Sequence, residues 1–147
     1  MEIARKEGGE VLCGGDRLTL LHDGFYMAPA VIAGTSNHWR INREEMFAPI
    51  ACVIRAESYD EALAISNDTE FGLTAGIMTR SLARAGDFRR RAETGVVMVN
   101  LPTAGTDYHV PFGGRGDSSY GPREQGQYAV EFFTSTKTAY ISTGPAS

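Results

Sequence analysis

The side chains best suited to covalent chemistry in this sequence are two thiols, Cys13 and Cys52, and three imidazoles, His22, His38 and His109. A cysteine attacks a carbonyl as its thiolate, which requires a base or cation within hydrogen-bond reach. Cys52 sits inside the continuously apolar run IACVI, Ile50 to Ile54, where burial raises a thiol's pKa and leaves little nucleophile. An independent enzyme pairing Cys13 or Cys52 with His109 has the residue types but not the supporting spacing. The two cysteines are too few for a disulfide scaffold and lack the paired spacing of a zinc site, so both read as free thiols. The histidines are scattered, which predicts no metal centre.

Glycine-rich stretches are the other source of chemistry. GGRGD, starting at Gly113, looks superficially like a phosphate cradle, yet no lysine follows the glycines at the needed distance. Arg115, Gly116 and Asp117 spell an adhesion tripeptide by chance. The strand, tight turn and helix of a dinucleotide fold, with an acidic residue further on, is absent. Glu124 in GPREQG reads as electrostatic support for a helix start rather than as an acid or base. The chain carries 14 basic and 18 acidic residues, a formal charge of -4, and offers no field that would gather nucleic acid or an anionic membrane. Arg89, Arg90 and Arg91 diverge around a helix and read as solvated surface. No apolar run approaches the roughly 20 residues of a membrane span and no leader pattern opens the chain, which predicts a cytoplasmic protein.

The elements that would position these groups follow from periodicity. At 147 residues the chain suits one compact domain. IARKEGGE reads as the tail of a helix stopped by Gly8 and Gly9, and a helix where the chain begins predicts truncation. A short strand is expected at Val11 to Cys13, followed by turns. FYMAPAVIA, from Phe25, favours an edge or irregular strand because of Pro29. IACVI fits a strand covered on both faces. Ser58 and Glu61 have capping-box spacing, predicting a helix from Tyr59 to about Asn67. LTAGIMT is the next strand, and a second helix begins near Ser81 with Leu82, Ala85, Phe88 and Ala92 along one stripe. VVMVN, Val96 to Asn100, follows Gly95. The alternation from Ile50 onward predicts an α/β fold with helices on a parallel-type sheet. A long glycine- and proline-rich loop comes next, of a length that usually serves a function. A helix starting at Pro122 and a final strand at Lys137 to Ile141 complete the reading.

Three strings then carry a resemblance: EEMFAPI (Glu44 to Ile50), VPFGGRGDSSYGPREQG (Val110 to Gly126) and EFFTSTKTAY (Glu131 to Tyr140). Together with NDTEFGLTAGIMTRS and TGVVMVN, in this order, they resemble the C-terminal part of the aldehyde dehydrogenase superfamily over practically the whole chain. The loop wording PTAGTDYHVPFGGR resembles the branch that oxidises 2-oxoglutarate semialdehyde, or 2,5-dioxovalerate.

The resemblance implies an NAD(P)-dependent oxidation of an aldehyde to its carboxylic acid, with NAD or NADP bound by the complete protein and neither held tightly by this chain alone. Glu45 would accept hydrogen bonds from the nicotinamide ribose hydroxyls, a task suited to an acceptor-only carboxylate. Phe47 would lie beside the nicotinamide. Ala48 stands where the family usually has glycine, and its methyl would shift the turn if that position needs an unusual backbone angle. Asn100 and the loop to Phe112 would line the substrate tunnel, with His109 placed to touch substrate. Gly116 and Asp117 follow Arg115 where the family often carries a lysine two places after the paired glycines. No catalytic residue is assigned, because Cys13 matches a segment downstream of the family's nucleophile, which is expected upstream of residue 1. Residues 1–130 would be the C-terminal portion of the catalytic domain. Residues 131–147 would be an oligomerisation segment and tail, whose last strand adds to a neighbouring subunit's sheet in a homo-oligomer. The other reading is a non-catalytic oligomerisation or interaction module derived from the same fold.

Overall fold

In the computed structural model, which describes residues 1–144, the chain divides into two units, residues 1–70 with 86–92 and residues 71–85 with 93 onward.

The first unit opens with α1 (Glu2–Lys6). Its end is a Schellman motif: the Gly9 amide donates to the Ala4 carbonyl at 2.8 Å and the Gly8 amide to Arg5 at 3.2 Å. Gly8 takes φ +95° to allow it. Next come β1 (Glu10–Cys13), a small antiparallel pair of β2 (Arg17–Leu18) and β3 (Tyr26–Met27), and then β4 (Ala30–Ala33). FYMAPAVIA is therefore two strands, not one, with Pro29 in the break, where a missing amide hydrogen costs no ladder bond. A one-turn helix, α2 (Arg40–Arg43), leads to β5 (Ile50–Cys52). Strand order is β1-β4-β5, with β1 antiparallel and β5 parallel to β4. Thus β4 is central rather than an edge strand. Its residues Ala30 and Ile32 face the interior, and Ile32 is fully buried with Ala4 and Ile41 at the centre of the core.

β5 keeps its parallel character but is not covered on both faces. Ala51 is exposed and Val53 is 49% exposed, while Ile50 and Cys52 pack on the core. An edge strand of a three-stranded sheet has only one face to bury here. α3 (Tyr59–Asn67) runs as the capping residues predict. Ser58 Oγ accepts from the Glu61 amide at 3.1 Å, and Glu61 reaches back to the Glu57 amide at 2.6 Å, one residue earlier than a standard capping box.

In the second unit β6 (Phe71–Gly72) is followed by β7 (Thr74–Ile77), and then α4 (Leu82–Arg91). The later residues of α4 belong to the first unit, where Phe88 and Ala92 are each 5% exposed. Leu82, expected on the same stripe, is 90% exposed, so the apolar stripe begins later than its periodicity suggests. β8 (Val96–Val99) pairs in parallel with β7, and β9 (Arg115–Gly116) pairs antiparallel with β6. The predicted parallel pairing is thus distributed: β5 finds its partner in the upstream β4, and β7 finds its partner in β8.

Two expectations are corrected in this unit. The last helix, α5 (Tyr128–Phe133), starts six residues after Pro122, because Gln125 (φ +63°) and Gly126 (φ +53°) turn the backbone out of the helical region first. Among the described residues no strand lies at 137–141, and the stretch is exposed. A strand exists through ladder bonds to a neighbour, and here none is supplied.

Candidate functional site

Glu45 and Phe47 lie on the segment between α2 and β5. They share the wall of an open concavity of about 570 Å³ with Met46, Pro49, Ile50 and Cys52. Both ends of the segment are fixed. At the β5 end the Ala30 amide donates to the Pro49 carbonyl at 2.9 Å, extending the β4/β5 ladder. At the other end stands α2, whose N-cap Trp39 supplies no side-chain acceptor. The two oxygens of Glu7 accept from the Arg40 and Ile41 amides instead, at 2.7 and 3.2 Å. Charge-assisted bonds of this kind contribute about 1.5 to 3 kcal/mol each when shielded, and less at a half-exposed site.

The two glutamates of EEMF have different work. Arg40 Nε donates to Glu44 Oε1 at 2.6 Å, and that bond, followed by the guanidinium charge, holds the Glu44 carboxyl below the usual carboxylate range. Glu45 is exposed and carries no ion pair among the described residues. It is the carboxylate left to accept from a ligand. Phe47 is 93% exposed and adopts φ +48°, a conformation costly for a bulky residue. The unusual backbone angle therefore falls on Phe47 and not on Ala48, whose carbonyl accepts from the Ile50 amide at 2.7 Å. Arg43 Nη2 and Asn37 Nδ2 both donate to Asp68 Oδ2 at 2.7 Å, fastening α2 to the end of α3. Glu7, Arg43 and Asp68 carried no signal in the sequence, because their partners lie 25 to 34 residues away.

Cys52 lines the same concavity as Glu45. Burial pushes its thiol above the usual range, and the lining offers two glutamates and no cation or imidazole to favour a thiolate. Chemically it is a core residue with one face on the pocket. Cys13 is exposed on β1 opposite Val31.

The other three predicted site residues belong to the second unit. Asn100, at φ +56°, turns its side chain back on Thr79: Oδ1 accepts from the Thr79 amide at 2.7 Å and Nδ2 donates to its carbonyl at 2.9 Å. The side-chain amide thus secures the start of the loop. His109 is exposed, edge-on to Tyr108 with centroids 5.6 Å apart. Phe112 is half-buried, and its backbone exchanges two 2.8 Å bonds with Glu124. That pairing, four residues before α5, replaces the helix-start role expected of Glu124. Arg123 Nη1 donates to the Gly114 carbonyl at 2.7 Å, and Ser118 Oγ accepts from the Gly72 amide at 3.0 Å, so the glycine-rich loop is fastened along its length. Gln125 Oε1 is buried without a hydrogen-bond partner, beside a small apolar cavity of about 170 Å³ walled by Ala129, Phe132 and Phe133. Among the described residues no three His, Cys, Asp or Glu side chains gather as metal ligands, and no helix is long and apolar enough to cross a membrane.

Set against known proteins, the model of the aldehyde dehydrogenase family matches residues 1–139. Alpha-ketoglutaric semialdehyde dehydrogenase of Bacillus subtilis (strain 168) is 37% identical over 143 residues, covering 96% of this chain and 29% of that protein. Alpha-ketoglutarate semialdehyde dehydrogenase of Haloferax volcanii is 39% identical over 145 residues, covering 97% of this chain and 30% of that protein. Among solved structures, Mycobacterium tuberculosis aldehyde dehydrogenase complexed with NAD+ superposes with a TM-score of 0.86 at 32% identity, over 99% of this chain and 30% of that one. The chain spans less than a third of the length of these relatives.

Proposed function

The chain belongs to the aldehyde dehydrogenase family, and from that premise we propose that it is the C-terminal portion of an NAD(P)-dependent enzyme that oxidises an aldehyde to its carboxylic acid. The observation that carries this reading is the division of labour in EEMF: Glu44 is occupied by Arg40, while Glu45 stands exposed beside an exposed aromatic ring on one concavity. Such a pair fits a nucleoside sugar and a planar ring, since an ionised carboxylate accepts two hydroxyl hydrogens and an aromatic face limits how a flat ring can lie.

When bound, a nicotinamide supplies the hydride acceptor for the oxidation. Glu45 holds its ribose hydroxyls, and Phe47 restricts the positions of the ring. Asn100, His109 and Phe112 line the way in for substrate, with Asn100 acting through the backbone it fixes. The attacking thiolate is provided by residues upstream of this chain. Neither Cys13 nor Cys52 serves, and the chain alone does not turn over. Residues 1–130 contribute to the catalytic domain, and residues 131–147, of which 145–147 lie outside the described residues, are the oligomerisation segment and tail through which a homo-oligomer would form. The substrate proposed is 2-oxoglutarate semialdehyde, supported by the names of the two relatives above and by the loop wording at 102–115.

The test is steady-state kinetics on the full-length enzyme carrying this segment, with 2-oxoglutarate semialdehyde against pentanal, and NAD+ against NADP+. Glu45→Gln is expected to raise the cofactor KM by roughly ten-fold through loss of a charge-assisted bond. Unchanged cofactor kinetics would remove Glu45 from the site. Equal kcat/KM for the two aldehydes would withdraw the semialdehyde as substrate, and turnover by the isolated chain that is lost on Cys52→Ser would reassign the nucleophile.

A further inference from the structure

α2 is a single turn, and a helix of that length does not support itself. Its location is set by partners outside it. Arg43 at its far end and Asn37, three residues before its start, both reach Asp68, and Arg40 bridges from its first residue to Glu44. At its start the Glu7 carboxylate takes both the Arg40 and Ile41 amides, beside the core packing of Trp39 and Ile41 and a bond from the Asn42 side-chain amide to the Ser36 carbonyl at 2.8 Å. Glu7 is the residue that closes α1, and α1 is itself anchored by Ala4, fully buried against Ile32 and Ile41. A continuous path of contacts thus runs from the core through α1 and Glu7 into α2. Glu45 is the second residue beyond α2.

We infer that Glu7 is a positioning residue for the cofactor: by fixing the start of α2 it sets where the Glu45 carboxylate stands, and so how the nicotinamide ribose is held. A carboxylate suits the task twice over, offering two acceptors for two unpaired amides and a negative charge at the positive end of the turn. The inference rests on the reading of Glu45 as the ribose acceptor.

The full-length enzyme decides it, with cofactor KM from steady-state kinetics and NADH affinity from fluorescence titration. The variants are Glu7→Ala, Glu7→Gln, Glu45→Ala, the double variant Glu7→Ala with Glu45→Ala, and Ser58→Ala. Ser58 caps α3 in the same unit without touching α2, so Ser58→Ala reports what a general loss of stability does. Glu7→Ala is expected to raise the cofactor KM about ten-fold, below the roughly 100-fold that a misplacement of about 1 Å can cost. The aldehyde KM and kcat should move less than about two-fold, since the group acts on cofactor placement. Glu7→Gln should recover to within about three-fold, because its amide oxygen still accepts one of the two bonds. Ser58→Ala should leave cofactor KM unchanged. On the Glu45→Ala background, Glu7→Ala should add little, as two residues acting through one contact are not additive.

If Glu45→Ala weakens the cofactor while Glu7→Ala behaves as Ser58→Ala does, or if the two effects add in full, the positioning role is overturned and the ribose reading stands. If Glu45→Ala has no effect, the ribose reading fails and takes the positioning role with it. Should Glu7→Ala not fold, Glu7→Gln decides: a cofactor KM above that of Ser58→Ala supports the role, and one equal to it overturns the role.

Discussion

Asn100 spends both ends of its side-chain amide on one residue, Thr79, receiving its amide hydrogen at 2.7 Å and donating to its carbonyl at 2.9 Å. The same residue sits at φ +56°, where asparagine is among the few non-glycine residues at ease. Asn100→Ala loses both bonds and keeps the awkward angle, and should cost about 1 to 2 kcal/mol at this exposed position. Asn100→Gly relieves the angle and should cost less. Amide hydrogen exchange checks this at Thr79, whose protection should fall more in the alanine variant than in the glycine variant.

The thiols should separate by accessibility and by pH. Cys13 is exposed on its strand, whereas burial raises the Cys52 thiol above its ordinary range. A maleimide should modify Cys13 first and Cys52, half-buried with one face on the concavity, more slowly. Stability carries the same sign: the unfolded chain loses the Cys52 proton at lower pH than the folded one, so stability present below the ordinary thiol pKa declines once pH rises through it. Cys52→Ala should flatten that decline in a denaturation series run toward alkaline pH. Equal labelling rates for the two thiols would contradict the burial.

α3 and the end of α4 are joined by Tyr59, which donates to Asp87 at 3.0 Å, and by Arg91, which donates to Asp60 at 2.8 Å and to Asp87 at 2.9 Å. The Tyr59 bond foremost, then Arg91, hold the Asp87 carboxyl below the usual range. A depressed carboxylate stabilises above its unfolded pKa of about 3.9, and the contribution disappears as pH falls through the lower folded value. Asp87→Asn should therefore weaken the first unit at neutral pH and make its denaturation midpoint less sensitive to acid below about pH 4. A midpoint series that keeps the wild-type slope in the variant would assign the acid sensitivity elsewhere.

Gly95 is fixed by proximity. A β-carbon built on it would lie 1.8 Å from the Gly113 carbonyl oxygen, which is backbone and has no way to swing aside. Gly95→Ala should break the fastening of the glycine-rich loop and expose it to protease, a larger effect than alanine has at most surface positions. Limited proteolysis with mass mapping shows whether cleavage moves into residues 101–126. An intact loop in the variant would mean that the Gly95–Gly113 approach does not hold the loop in place.

The parts legible in the sequence were those whose cause is local. Ser58 and Glu61 announce α3 because capping partners lie three residues apart, and Gly8 and Gly9 announce the end of α1 for the same reason. The parallel tendency of β5, β7 and β8 was visible in their apolar runs, while the choice of β4 as partner for β5 was not, since pairing depends on distant chain. Pro122 and REQG read as a helix start because the positive φ of Gln125 leaves no mark in residue type. Residues 137–141 read as a strand from their pattern, yet a ladder requires a second backbone. Glu45 and Phe47 were singled out through resemblance, and the fold puts both on one concavity, whereas the contacts that Glu7 and Asp68 make with α2 required the fold.

The central place of β4 has a consequence for engineering. Because its two edges are taken by β1, from before it, and by β5, from after it, residues 1–52 should be exchanged as one cassette. A chimera spliced between β1 and β4 would marry a foreign first edge to a native second one, leaving mismatched Ile32 and Ala4 packing beneath. Crossovers placed ahead of Glu2 or beyond Val53 keep that trio of strands from a single parent, and those are the junctions at which exchange between relatives should yield folded hybrids.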